Sequence, residues 1–356
     1  MATIKKYQDK DGNTRYQFQV YLGVDPQTGK KKSTRRRGFK SKSAARIALS
    51  RIEVELQQEP VLPVDNNILF VDVYHEWYDQ YINTVRESTW ARTAGMFDNH
   101  ILPLFGNKRL RTITVNQCQR AVNLWFKEVT YNYKRWYNYL VAVFEYGLKH
   151  GYITHNPARM ITMPVKPDSW GDKPDNFWDR DQLKTFFKCI DQQKEPEKYC
   201  LFRVLAFAGV RRGECLALTW QDIDFVHKTL RVNKTLTQGK RGKQIIQAPK
   251  TKKGRRTVSL DNTTVEILQR WHKQQREYYL FLGFNTLQPD QLVFANTKNG
   301  FKSLNTPGKW LKRIITDYHL SPSITVHGFR HSHASALFTA GATIKEVQTR
   351  LGHEDV

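Results

Sequence analysis

Three short stretches of the sequence hold residues whose types and spacing could do chemistry. Arg211 and Glu214 stand three apart in Gly209-Val210-Arg211-Arg212-Gly213-Glu214, a spacing that puts both on one face of a helical turn. A carboxylate so placed points a guanidinium fork in one direction; an ordinary surface ion pair has the same spacing and contributes little. His327 and Arg330, also three apart, open His327-Gly328-Phe329-Arg330-His331-Ser332-His333-Ala334, at the start of a predicted helix running to Ala340. An imidazole and a guanidinium at a helix N-terminus make an anion site. The rival is a metal held by His327, His331 and His333, which the lack of a neighbouring acid or cysteine disfavours. His353 closes Leu351-Gly352-His353, where a glycine that merely ends a helix is the plainer reading. Lys250-Thr251-Lys252-Lys253-Gly254-Arg255-Arg256 reads as a hairpin tip, either solvated or able to reach into a groove.

Two arginines, two histidines and a mobile lysine together suit phosphoryl transfer. Arginines neutralise non-bridging oxygens as charge builds in the transition state. Histidine moves protons or donates hydrogen bonds, and lysine can protonate a departing alkoxide. With that much fixed positive charge the chemistry requires no metal and no other cofactor.

The elements that must position these groups belong to a basic chain of several domains. Its 356 residues suffice for two or three domains, and 40% apolar residues can fill their cores. Against 33 acidic residues stand 57 basic ones, a net charge of +24 that favours polyanionic partners. No apolar run approaches a membrane span and the N-terminus is too polar for a signal peptide, so nucleic acid gains over a membrane surface. Cys118, Cys189, Cys200 and Cys215 form no CxxC pair and read as reduced, mostly buried thiols of a cytoplasmic protein.

Residues 1–58 read as a small α+β module. A strand runs through Tyr16–Val20, Asp25–Gly29 is a turn signal, a basic strand spans Lys31–Gly38, and a helix opens at Ser41 or Ser43. From Lys31 to Lys42 there are seven basic residues and no acid, so Lys31, Lys32, Arg35, Arg36, Arg37 and Lys40 are candidate phosphate contacts. Residues 59–68 form a linker. In 69–165 the stripe Tyr74, Trp77, Tyr78, Tyr81, Ile82, Val85 predicts one amphipathic helix. Thr114 and Gln117 cap a second; Trp136 to Leu148 mark a third that Gly151 can end. These aromatics read as core rather than as a base-stacking platform. From Pro174 to Val356 the pattern is helical, interrupted by β-rich pieces at Leu230–Leu236 and Thr257–Leu260 within a segment of eleven basic residues and no acid, 225–260.

Over essentially its whole length the sequence resembles the tyrosine recombinases, and among them the integrases of temperate phages and conjugative elements. The family's three boxes match AGVRRGE, HGFRHSHA and LGH. The resemblance implies that Arg211 and Arg330 clamp a scissile phosphate, that His327 and His353 assist, and that Glu214 supports Arg211. The family's hairpin lysine falls best on Lys252, with Lys250 and Lys253 as alternatives. It further implies an arm-site-binding module (1–58), an all-α, SAM-like core-site-binding domain (69–165) and a mainly α catalytic domain with a small antiparallel β-sheet (174–356). Double-stranded DNA at core and arm sites is the implied partner, bound by a homotetramer, with a host DNA-bending protein and an excision factor as further partners.

In this family a tyrosine about nine residues after the third-box histidine attacks the phosphate, giving a 3′-phosphotyrosyl link. None of the sixteen tyrosines holds that position. The polypeptide as written is expected to bind DNA without cutting it, as a shortened form of an active enzyme. Two alternatives stand beside this: a non-catalytic DNA-binding regulator, and a topoisomerase-like relaxing enzyme, against which the separate basic N-terminal module argues.

Overall fold

Alternation in the N-terminal module is what builds its sheet. In this computed structural model, which describes residues 3–9, 12–24, 31–58, 67–129, 131–165, 175–249 and 251–352, strands β1 (Lys5–Gln8), β2 (Thr14–Val24) and β3 (Lys31–Phe39) pair antiparallel in that order. Phe18 and Val20 of β2 pack on Ala45 and Leu49 of helix α1 (Lys42–Gln58). Ser41 caps α1, its Oγ accepting from the Ala44 N–H at 3.1 Å. Cross-strand partners point the same way, so Gln17 with Arg37, and Gln19 with Arg35, share the face opposite α1. The β2 and β3 strands agree with the alternation; β1 escaped it, because its residues Lys5–Gln8 are mostly exposed and polar and carry no apolar alternation. The turn expected at Asp25–Gly29 lies outside the described residues, as does most of the 59–68 linker.

Helices α2 (Phe70–Tyr81), α3 (Glu87–Met96), α4 (Leu102–Phe105), α5 (Val115–Glu128) and α6 (Tyr133–Lys149) follow, α3 running through a π turn at Phe97–Ile101 into α4. Their core holds Phe70, Tyr74, Phe97, Phe105, Trp125, Trp136 and Phe144, with Tyr74 stacked on Phe97 at 4.2 Å between centroids. The aromatics are therefore core. Thr114 and Gln117 form the expected reciprocal cap, with Thr114 N donating to Gln117 Oε1 at 3.0 Å. The stripe overran α2: after Tyr81, Asn83 Nδ2 donates to Asp79 O and Thr84 Oγ1 to Tyr81 O, and these side chains take up carbonyls that a longer helix would use.

The chain divides into two compact units, residues 1–168 and 169–356. The second contains α7 (Arg180–Lys188), α8 (Pro196–Ala208), α9 (Arg212–Leu216), β4 (Ile223–Asp224), β5 (Thr229–Val232), β6 (Thr235–Gln238), β7 (Gln244–Gln247), β8 (Arg256–Ser259), α10 (Asn262–Phe281), α11 (Thr306–Asp317), α12 (Gly328–Thr339) and α13 (Ile344–Leu351). One apolar core joins them, with Phe186, Phe202, Phe294 and Phe329 fully buried. The four cysteines are free thiols, three of them buried.

The β excursion differs from the expectation. The strand breaks at Asn233–Lys234, giving two sheets: β4-β5-β8, and a β6–β7 hairpin. Since β8 pairs with β5 and β7 with β6, the lysine-rich run 250–255 connects two sheets and is not the tip of a hairpin. Asn233 and Lys234 hydrogen-bond instead to the buried carboxylate of Asp222, which fixes the break.

Candidate active site

Arg211 comes to its place through a helix start. It is the N-cap of the short α9, in extended conformation, and Glu214 is the third helical residue. Glu214 Oε2 accepts the Arg211 N–H at 2.9 Å while Oε1 accepts Arg211 Nη1 at 2.8 Å. The pairing expected from three-residue spacing is thus present, made by a capping geometry rather than by two side chains along one helical face. Gly213 is required there, because a Cβ would lie 2.5 Å from Leu236 O of β6.

Glu214 has a second cation. Arg256, the first residue of β8, donates from Nη2 to Glu214 Oε2 at 2.9 Å, from Nε to Arg350 O at 2.8 Å and from Nη1 to Gly254 O at 3.2 Å. Side-chain exposure is 3% for Glu214 and 6% for Arg256, against 41% for Arg211. Burial alone would push the Glu214 carboxyl upward; the hydrogen bond and charge of Arg256, aided by Arg211, outweigh it and hold the group below the usual carboxylate range.

Arg330 sits in the first turn of α12 and is 2% exposed. Its fork spans two backbone carbonyls, with Nη1 on Gly209 O at 2.9 Å and Nη2 on Leu351 O at 2.6 Å. A guanidinium carries five N–H donors, so three remain for an anion. Burial, then the charges of Arg211 and Arg256, lower its pKa to about 9, and it stays protonated at neutral pH. Gly209 and Gly352 both adopt left-handed backbone, φ +63° and +69°, ending α8 and α13 so that their neighbouring carbonyls face this fork.

A further pair lies behind Arg330. His333 is buried, with Nδ1 against Ala206 O at 3.1 Å and Nε2 accepting from Arg350 Nε at 2.9 Å. Those partners fix a neutral imidazole carrying its proton on Nδ1. Arg350 also donates to Ser259 Oγ and Ser259 O, each at 2.9 Å. Burial first, and then the Arg350 charge, lower the His333 pKa from 6.5 to about 4. A folded-state pKa below the unfolded one means stability that is full above the unfolded value and is lost as pH falls. Between pH 6.5 and 4 the wild type is expected to lose on the order of 3 kcal/mol more than His333→Gln does. Equal losses in acid denaturation series of the two proteins would contradict this.

The structure thus brings together Arg211, Glu214 and Arg330 of the expected site. His327 is the exposed N-cap of α12, its ring edge-on to His331 at 4.8 Å. Lys252 begins the short turn Lys252–Gly254; its side chain, like Lys250 and His353, lies outside the described residues. In the other unit Arg35, Arg36, Arg37 and Lys40 are exposed, while the side chains of Lys31 and Lys32 are not described. Sequence reasoning gave no role to Arg256 or Arg350 and weighed His333 only as a metal ligand. Among the described residues no His, Cys, Asp and Glu cluster could hold a metal, and His333 has both ring nitrogens engaged. No described helix is long and apolar enough to cross a membrane.

Three family models match in chain order: an arm DNA-binding domain over 3–56, the N-terminal SAM-like domain of phage integrases over 69–126, and the phage integrase family over 176–356. The chain belongs to the phage integrase family, the tyrosine recombinases of phages and conjugative elements. It is 27% identical to a XerC-like tyrosine recombinase of Caldanaerobacter subterraneus, over 98% of this chain and 91% of that protein. It is 26% identical to the ICEBs1 integrase of Bacillus subtilis, over 97% and 91%. Among solved structures, the Tn1549 transposon integrase in complex with transposon right end DNA shares the fold with TM-score 0.63 at 19% identity, over 81% of this chain and 92% of that one. A lambda integrase tetramer bound to a Holliday junction does so with TM-score 0.56 at 18% identity, over 98% and 95%.

Proposed function

We propose that this protein recognises double-stranded DNA at core and arm sites and that its catalytic domain breaks and rejoins strands at the core site to integrate or excise a mobile element. The observation that carries the proposal is the convergence of Arg211 and Arg330 from separate segments, the first fixed by Glu214 and the second by two carbonyls. In this reading both guanidiniums bind the non-bridging oxygens of one scissile phosphate. They stabilise the charge that builds there without reorganising. His327 and His353 assist proton movement and Lys252 protonates the leaving 5′ oxygen. A tyrosine hydroxyl displaces that oxygen from phosphorus, and the 3′-phosphotyrosyl bond conserves the energy that rejoining uses. The working form is a homotetramer on DNA in the cytoplasm of a bacterial host.

The domain limits are proposed as 1–58 for arm binding, 69–165 for core binding and 174–356 for catalysis. On the arm module, Arg35 and Arg37 project from the sheet face that also carries Gln17 and Gln19, a polar and cationic surface suited to a DNA groove. Arg35→Ala and Arg37→Ala are each expected to reduce the slope of log affinity against log salt by about one on arm-site DNA. Unchanged slopes in a titration series would remove this face from the interface.

All sixteen tyrosines are described, and none hydrogen-bonds to or stacks on Arg211, Glu214, Arg256 or Arg330 in the contacts around that cluster. The polypeptide of residues 1–356 is therefore expected to shift a nicked core-site duplex without forming a denaturation-resistant adduct. The same polypeptide, extended to place a tyrosine at the family's position after His353, forms the adduct; Arg211→Ala or Arg330→Ala in that background abolishes it. Adducts that persist in both arginine variants would overturn the clamp. No adduct from the extended protein would favour the second reading, a DNA-binding regulator.

A further inference from the structure

We propose that Arg256 is a positioning residue for the phosphate clamp, acting through Glu214 on Arg211 and through Arg350 O on the turn that leads into the third box. This rests on the reading of Arg211 and Arg330 as that clamp. Whereas Arg330 gives only two donors to the protein, all three nitrogens of Arg256 are committed to protein acceptors, Nε to Arg350 O, Nη1 to Gly254 O and Nη2 to Glu214 Oε2. Its backbone is fixed by pairing with Val232 of β5, so its fork reaches outward from a rigid strand.

The Arg211–Glu214 pair is local: both residues belong to one short turn, and by themselves they hold each other without specifying where the pair points. The hydrogen bond from Arg256 Nη2 to Glu214 Oε2 joins residues 42 apart in sequence and orients the carboxylate from outside that turn. The same guanidinium takes Arg350 O by Nε, next to the Leu351 carbonyl that Arg330 takes. One planar group therefore ties the first box, β8 and the end of α13 together. The turn after α13 is packed onto it: a Cβ on Gly352 would meet Lys253 O at 2.7 Å and Arg256 Cδ at 3.2 Å. Only a guanidinium presents donors in a fork able to hold a carboxylate and a carbonyl at once; an ammonium is a point charge on a flexible stem. The two clamp arginines thus share a frame, and Arg256 sets its angle.

The test is the binding of orthovanadate, a phosphate mimic, to the 356-residue protein at neutral pH, followed by vanadium NMR. Arg211→Gln and Arg330→Gln are expected to abolish saturable binding, which checks the clamp itself. Arg256→Gln is expected to weaken vanadate about tenfold, equivalent to about 1.4 kcal/mol, while affinity for bulk duplex DNA is unchanged. Arg256→Lys keeps the charge but reaches one partner at a time, and is expected to lose about threefold. Its fold is the less perturbed, so it decides alone where the glutamine variant does not melt cooperatively. Wild-type vanadate affinity in Arg256→Lys, or in a folded Arg256→Gln, would overturn the positioning role. Vanadate binding undiminished in Arg211→Gln and Arg330→Gln would instead overturn the clamp on which it rests.

Discussion

Glu214→Ala is expected to destabilise the unit of residues 169–356 by about 3–5 kcal/mol, because it leaves the buried Arg256 guanidinium without its carboxylate. Arg211 adds less to that figure, since its side chain is 41% exposed and water can replace part of the lost partner. The cost arises from stranding a charge rather than from the strength of the pair. The double variant Glu214→Leu/Arg256→Met removes both charges and fills the space with apolar atoms, so it is expected to recover most of the loss. Amide exchange of β8 reads the opening free energy of this unit directly. A double variant no more stable than Glu214→Ala would show that the network contributes by its geometry and not by charge compensation.

Gly209→Ala is the second large effect, at about 2–4 kcal/mol, combining left-handed backbone strain with overpacking. At φ +63° an added Cβ would stand 2.5 Å from His333 Cδ2 and 3.0 Å from Leu351 Cδ2. His333 cannot turn away without giving up the Ala206 carbonyl or the Arg350 guanidinium. Because Gly209 O also accepts from Arg330, the same methyl displaces one support of the clamp and is expected to weaken anion binding. Gly341→Ala is the control: φ is +88° there, but nothing lies within 4 Å of an added Cβ, so only the backbone strain applies. Thermal unfolding of the two variants separates the contributions. Equal shifts in both would mean that packing against His333 has no energetic weight.

What could be read from the sequence was whatever local spacing determines. Thr114 with Gln117 closes a reciprocal cap because the partners are three residues apart and no distant element is involved. Arg211 with Glu214 was legible for the same reason, although the capping geometry was not. Arg256 was hidden in a run where five of seven residues are basic. Which of them turns inward is decided by the register of β8 against β5, and that pairing has no signature in the run itself. The His333–Arg350 pair joins residues 17 apart on two helices and depends on how α12 and α13 pack. Likewise the run 250–255 has the composition of a tight turn, but composition does not say which strands it joins.

The most direct measurement of the central claim is phosphate-ethylation interference on a core-site duplex that the protein binds. Wild-type protein should fail to bind when one of a small set of core-site phosphates is ethylated, since the ethyl group removes the charge that Arg211 and Arg330 are proposed to hold. The expected result is that interference at the scissile phosphate disappears in Arg211→Ala and Arg330→Ala while it persists at every other position. An interference pattern identical in the wild type and both variants would mean that neither arginine touches a backbone phosphate, and would contradict the clamp.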